Sequence, residues 1–333
     1  MKHAGEHRRR IVCFGEALID FLAQAPSSPA APRAFLQFAG GAPANVAVAM
    51  AQLGGRAQFV GMLGEDMFGD FLLAQLCDAG VDVGYVLRTA DAKTALAFVS
   101  LDDRGERSFS FYRPPAADLL FRAEHFDVHC LEGAAVFHVC SNSLTEADIA
   151  QTTVSGMRKA RAAGALVSMD ANLRPSLWSA DTDPAPRLWA ALLEADLVKL
   201  CRAELDFLAQ SAGTESAALQ RLLAGHARCV LVTDGAAPIR WFTRDAHGTA
   251  ATFRIAATDT TGAGDAFVGG LLQQLVAQGI SAETFTDFLA QPTRLEAALV
   301  FAAAAGALAT TRHGAFAAMP AREEIERLLQ AQA

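Results

Sequence analysis

Short apolar runs alternate with alanine-rich amphipathic runs along almost the whole chain, and no other feature narrows the possible folds as far. Residues 11–14, 57–60, 134–139, 166–169, 196–200 and 229–233 are brief, apolar and often β-branched, the pattern of strands buried on both faces. Between them, residues 44–53, 68–79, 146–163, 204–210 and 266–278 carry helical periodicity. A strand followed by a helix and then another strand favours parallel pairing, because the helix carries the chain back across the sheet. The expected fold class is therefore α/β, with a mostly parallel sheet covered by helices on both faces. One region breaks the rhythm. Residues 94–101 and 107–113 are adjacent strand-like runs around Asp102-Asp103-Arg104-Gly105, which predicts a β-hairpin apart from the parallel sheet, either a lid or subunit contact or a plain edge hairpin.

The 333 residues suffice for about two domains of ~150 residues or one large α/β unit. Apolar residues make up 52% and charged residues 19%, which excludes wholesale disorder. A formal net charge of −8 argues against a nucleic-acid partner, which requires a basic face. The six cysteines form no C-x-x-C pair or zinc pattern, and a reducing, cytoplasmic location is expected. Residues 34–55 carry no charge, yet Gly40, Gly41, Pro43 and Asn45 break the stretch, so no membrane span is expected there. The Ala302-Ala303-Ala304-Ala305 run suits a tightly packed helix.

Two strings carry chemistry. In Asp259-Thr260-Thr261-Gly262-Ala263-Gly264-Asp265-Ala266-Phe267, a small-residue turn enters a helix. Free N–H groups and the helix dipole make that end an anion hole suited to a phosphoryl group. Asp265 falls in the first turn, where it is either a base for an attacking hydroxyl or a helix cap. In Gly40-Gly41-Ala42-Pro43-Ala44-Asn45, paired glycines allow close backbone approach, Pro43 suits a first helical turn, and Asn45 can both donate to and accept from sugar hydroxyls.

Together these strings resemble the two signatures of the ribokinase-like, or PfkB-type, carbohydrate kinases, the first running from Gly40 to Gly64 and the second from Asp259 to Leu272. Within that family the chain is most similar to fructokinases. Phe14-Gly15-Glu16-Ala17-Leu18-Ile19-Asp20, the 107–120 stretch with Phe111-Tyr112-Arg113, Asp170-Ala171-Asn172-Leu173-Arg174 and the 301–320 stretch carry that likeness. The resemblance implies a single kinase domain over 1–333, a three-layer α/β/α sandwich with a small β-sheet lid drawn from about 15–38 and 88–115. It implies an ATP-dependent phosphotransferase acting on the primary hydroxyl of a small sugar, D-fructose first. Kinases of ribose, 2-keto-3-deoxygluconate or aminoimidazole riboside, and a non-catalytic sugar sensor, are the alternatives.

Roles follow from the same resemblance. Asp265 is the expected base, with the backbone of Gly262, Ala263 and Gly264 around the γ-phosphate. Asp20, Gly40, Gly41 and Asn45 are expected to hold the sugar, with Arg107 and Arg113. Asn172, Arg174, Thr233, Gly235 and Ala303 are expected on the phosphate and nucleotide side. Glu204 is expected to reach Mg²⁺ through water, and Asp259 with Thr261 a K⁺ ion. Each arginine has a competing reading as a plain salt bridge. A homodimer through the lid is a further expectation. Cys201 stands where many relatives have Asn or Ser, Pro238 replaces a usual glycine, and Ala303 replaces an Asn common in fructokinases. A Rossmann dehydrogenase is disfavoured because no G-x-G-x-x-G follows the first strand, and a P-loop kinase because no Gly-Lys pair occurs.

Overall fold

The computed structural model describes residues 10–24, 28, 32–101 and 107–331. In chain order its strands and helices are β1 (Arg10–Phe14), β2 (Leu18–Ala23), β3 (Phe35–Gly40), α1 (Ala42–Gln52), β4 (Arg56–Gly64), α2 (Met67–Asp78), β5 (Asp82–Thr89), β6 (Leu96–Leu101), β7 (Arg107–Tyr112), β8 (Ala134–Cys140), α3 (Ala147–Ala162), β9 (Leu166–Asp170) and α4 (Ala185–Leu192). There follow β10 (Leu197–Cys201), α5 (Arg202–Ala212), α6 (Glu215–Ala224), β11 (Cys229–Asp234), β12 (Ala237–Phe242), β13 (His247–Ala250), α7 (Ala263–Ala277), α8 (Phe285–Leu289), α9 (Pro292–Ala309) and α10 (Arg322–Ala331).

Nine strands form one sheet in the order β13-β12-β11-β10-β9-β8-β1-β4-β5. All neighbours are parallel except β11–β12 and β12–β13. The period-2 geometry of a strand divides each run between two cores. Ile11 and Cys13 of β1, and Cys229 and Leu231 of β11, enter one core with residues of α1, α2, α7 and α9. Val12 and Phe14, and Val230 and Val232, enter the other with residues of α3, α4, α5 and α6. The result is the three-layer sandwich expected.

α7 and α9 pack face to face through small residues. A Cβ at Gly270 would meet Ala305 Cβ at 3.1 Å and Ala302 Cα at 3.2 Å, so the alanine run sets a close helix–helix approach. α9 is long and apolar enough to cross a membrane by length and composition alone, but Leu295, Leu299 and Ala302 to Ala305 are buried, as in a core helix.

A second sheet has four strands in the order β3-β2-β6-β7. β6 and β7 are the expected hairpin, antiparallel with Leu96 opposite Tyr112; its turn at 102–106 lies outside the described residues. The registers Asp20↔Ala97 and Ala97↔Phe111 put Asp20 and Phe111 on one face of this sheet. Three differences from the sequence reading stand out. β5, β12 and β13 were not anticipated; they lie at or near the edges of the large sheet, where alternating polar residues blur the buried-strand pattern. α7 starts at Ala263, before 266, because Gly262 caps it in the left-handed region at φ 75°. α1 starts at Ala42, which puts Pro43 in its first turn.

Candidate active site

Two helix N-termini meet at the site. α7 delivers Asp265 in its first turn, 8% exposed, and α1 delivers Asn45, whose Nδ2 donates to Asp265 Oδ2 at 2.7 Å. Burial is the main force on Asp265 and pushes its pKa up to about 7. The Asn45 hydrogen bond, Arg174 and Lys199 pull it down, while Asp170 raises it further. A carboxylate that exchanges its proton near neutrality is matched to general-base work. Asp20, on β2, is likewise raised to about 7, first by burial and then by Asp259 and Asp265, with Arg174 opposing.

α1 is placed by a feature the sequence reading overlooked. Glu16 is buried and accepts from Ala42 N at 3.0 Å and from Asn142 Nδ2 at 2.8 Å, which caps the helix. Gly41 precedes it at φ 108°; a Cβ there would stand 2.5 Å from Glu16 O. Asn45 Oδ1 and Asn142 Oδ1 are both buried and accept no hydrogen bond among the described residues. Buried acceptors left open need a partner, and both side chains line one cavity of about 360 Å³ with Asp20, Arg174, Phe111 and Asp265. Its size and polar wall suit a monosaccharide.

A second cavity of about 340 Å³ lies on the other side of the α7 N-terminus. Thr233, Gly235, Phe253, Ile255, Gly264 and Ala303 line it, a mostly apolar wall suited to a flat base. Thr260 borders both cavities; Gly262 and Asp265 face the first, and Ala263 and Gly264 the second. The helix end that can hold a phosphoryl group therefore sits between a sugar-sized cavity and a base-sized one.

The model of the pfkB family carbohydrate kinases matches residues 8–322. The chain belongs to that family. It is 42% identical over 324 residues to Fructokinase-1 of Zea mays, covering 97% of this chain and 98% of that one. Among solved structures, fructokinase of Xylella fastidiosa with bound ATP is 56% identical with a TM-score of 0.94, covering 98% of this chain and 99% of that one. Fructokinase of Vibrio cholerae O395 in its fructose, ADP and calcium ion bound form is 33% identical with a TM-score of 0.83, covering 97% and 99%.

Within this kinase several expected residues fall elsewhere. Arg113 does not line the sugar cavity. It is 1% exposed; its Nη2 and Nε donate to Asp118 Oδ2 at 2.5 and 2.9 Å, and its Nη1 to Asn142 O at 2.7 Å. Its charge is neutralised by Asp118, which corrects its assignment to sugar or phosphate. Arg107 belongs to β7, and its side chain lies outside what the structure describes. Gly40 makes room rather than contact: a Cβ there would stand 2.3 Å from Asp20 Oδ2. Asn172 and Arg174 line the sugar-side cavity, not the nucleotide-side one.

The metal expectations also change. Glu204 accepts from Cys201 N at 2.6 Å and Leu173 N at 2.8 Å, so both its oxygens brace the backbone around β9 and α5. Asp259 accepts from Thr261 N at 2.7 Å and Gly314 N at 3.3 Å, and the Thr310 carbonyl accepts from both Thr258 N and Asp259 N. No group of three His, Cys, Asp or Glu side chains fit to hold a metal occurs among the described residues. Mg²⁺ at such a site would enter on nucleotide phosphates, and Glu204, with both oxygens engaged, would reach it only through water. Asp170 and Lys199, paired at 2.9 Å under α7, were not anticipated. A lysine inside an apolar strand was the available signal.

Proposed function

We propose that this kinase transfers the γ-phosphate of ATP to the 6-hydroxyl of D-fructose. The observation that carries the reading is Asp265, buried at the junction of the two cavities and poised near pH 7. Fructose occupies the first cavity, with Asp20 and the open amide oxygens of Asn45 and Asn142 taking its hydroxyl protons. The adenine moiety occupies the second, between Phe253, Ile255 and Ala303. Asp265 accepts the proton of the attacking hydroxyl as the new O–P bond forms and the bond to ADP breaks; the first turn of α7 holds the charge on the phosphoryl oxygens. Bound Mg²⁺ supplies charge neutralisation on those phosphates.

Arg113 bears on the rivals. A keto-acid substrate calls for spare positive charge at the sugar; the Arg113 charge is already taken by Asp118, and Arg174, the arginine that lines that cavity, acts on Asp20 and Asp265. A sensor without catalysis has no use for a base tuned to about 7. The small sheet acts as a lid over the sugar, since Asp20 and Phe111 reach the cavity from it and water must be kept from the phosphoryl group. We place the enzyme in the cytoplasm, as a homodimer joined through that sheet. The test is ADP release with Mg-ATP across fructose, ribose, 2-keto-3-deoxygluconate and aminoimidazole riboside. The expected result is a kcat/KM for fructose at least tenfold above the others; preference for another sugar overturns the substrate, and no turnover with intact ATP binding overturns the reaction.

A further inference from the structure

Lys199 is a buried lysine in the middle of an apolar strand, and the reaction as described gives it no task. It pairs in register with Asp170 of the neighbouring strand, at the C-terminal ends of β10 and β9, where open parallel sheets bind ligands. Its Nζ donates to Asp170 Oδ2 at 2.9 Å, while Asp170 Oδ1 accepts from Asn172 N at 3.1 Å. A Cβ at Gly264 would stand 3.1 Å from the same Nζ. The ammonium thus lies directly under the first turn of α7, and Gly264 lets it come that close.

Two further facts separate this pair from an ordinary buried salt bridge. An ammonium has three donors, and Asp170 Oδ2 is the single acceptor it meets among the described residues. A buried ion pair kept only for structure needs its remaining donors satisfied, because desolvation otherwise outweighs the attraction. Second, the charges around the transfer point are mostly negative. Asp170, Glu204 and Asp265 all act on Lys199 and, against burial, hold its pKa above the ordinary lysine range. It remains a cation at any pH where the enzyme works. Besides Lys199, Arg174 is the cation that acts on Asp265. A phosphoryl group arriving at Gly262–Gly264 adds more negative charge to this region, and Lys199 has donors to spare for it.

We propose that Lys199 is a phosphate-binding catalytic residue: anchored by Asp170, its ammonium donates to oxygens of the terminal phosphate as that group passes from ADP to the sugar. No proton leaves Lys199 in the step; the hydroxyl proton goes to Asp265. The inference rests on the ATP-dependent reading above.

The experiment compares full-length wild type with Lys199→Met, measuring kcat with fructose and dissociation constants for ATP, adenosine and fructose. Removing one such donor lowers kcat by ~10²-fold or more. ATP binding weakens at least tenfold, while adenosine and fructose binding stay within twofold. Because a lone Asp170 carboxylate can destabilise the fold, Asp170→Asn/Lys199→Met, with both charges gone, is measured alongside and shows the same selective loss. ATP affinity and kcat within threefold of wild type in a folded variant overturn the proposal. So does equal weakening of ATP, adenosine and fructose, the signature of a structural role. Wild type that phosphorylates no sugar strikes the kinase reading instead, and the wild-type assay reports that separately.

Discussion

Asp265 shows how much one side chain owes to its surroundings. Its sequence position allows a cap or a base; burial, against the Asn45 hydrogen bond at 2.7 Å, pushes its pKa up to about 7, which suits the base role we propose. Asp265→Asn is expected to lower kcat ~10³-fold, within the range for a lost general base, with fructose KM changed less than threefold in steady-state assays. In wild type, kcat/KM should fall as pH drops below about 7, where Asp265 is protonated. Stability runs the other way. The folded chain keeps protons on Asp20 and Asp265 up to about 7, whereas the unfolded chain releases them near the ordinary 3.8. Between those values the folded state binds more protons, so raising the pH destabilises it. Melting of the ligand-free protein should therefore be lower at pH 8 than at pH 6, and Asp265→Asn should reduce that difference. An equal melting temperature for the variant and wild type at both pH values would contradict the raised pKa.

At the scale of elements, what matters is how the small sheet is joined to the body. Arg113 closes the end of β7 on Asp118 and on the carbonyl of Asn142; Asn142 donates to Glu16, and Glu16 caps α1, which carries Asn45 to Asp265. Hydrogen bonds and one helix thus link the small sheet to Asp265. Asp118→Asn leaves the Arg113 guanidinium without its ion-pair partner in a site that water does not reach. The expected loss is ~3–5 kcal/mol in urea unfolding, the range for breaking a buried pair. Little of this was legible beforehand. The hairpin and the central strands announce themselves through periodicity, and Arg113 and Asp118 are near in sequence, but Glu16 and Asn142 meet only after the chain has crossed the sheet several times, and no local spacing encodes that.

At the scale of the whole molecule, the small sheet leaves apolar side chains in solvent. Phe35 is 37% exposed, Leu36 47% and Tyr112 67%, and β3 and β7 are its unpaired edges. In a homodimer through this sheet these groups are covered. Leu36→Asp is expected to shift the protein from dimer to monomer in light scattering at micromolar concentration; an unchanged mass for variant and wild type would place the contact elsewhere. Leu36 stands four residues before the Gly40-Gly41 turn, so the same variant also reports, through fructose KM, whether pairing steadies the sugar site.

The sequence alone determined the layered α/β fold, because burial on both sheet faces demands unbroken apolar strands, and it determined the small-residue turn that opens α7, because glycine spacing before a helix is local. It also supplied Asp20, Asn45 and Asp265, each embedded in such a local string. Tertiary structure decided the charges. Arg113 was expected at the sugar, with a plain salt bridge as the competing reading, and pairs with Asp118; Glu204 was expected to reach Mg²⁺ through water and braces two backbone amides; Lys199 read as part of a strand and lies under the first turn of α7. The physical reason is burial: local strings encode periodicity, turns and even a pair as near as Arg113 and Asp118, but which charge is buried, and against what, depends on the segments the fold brings within hydrogen-bonding distance, as it brings Asp170 to Lys199.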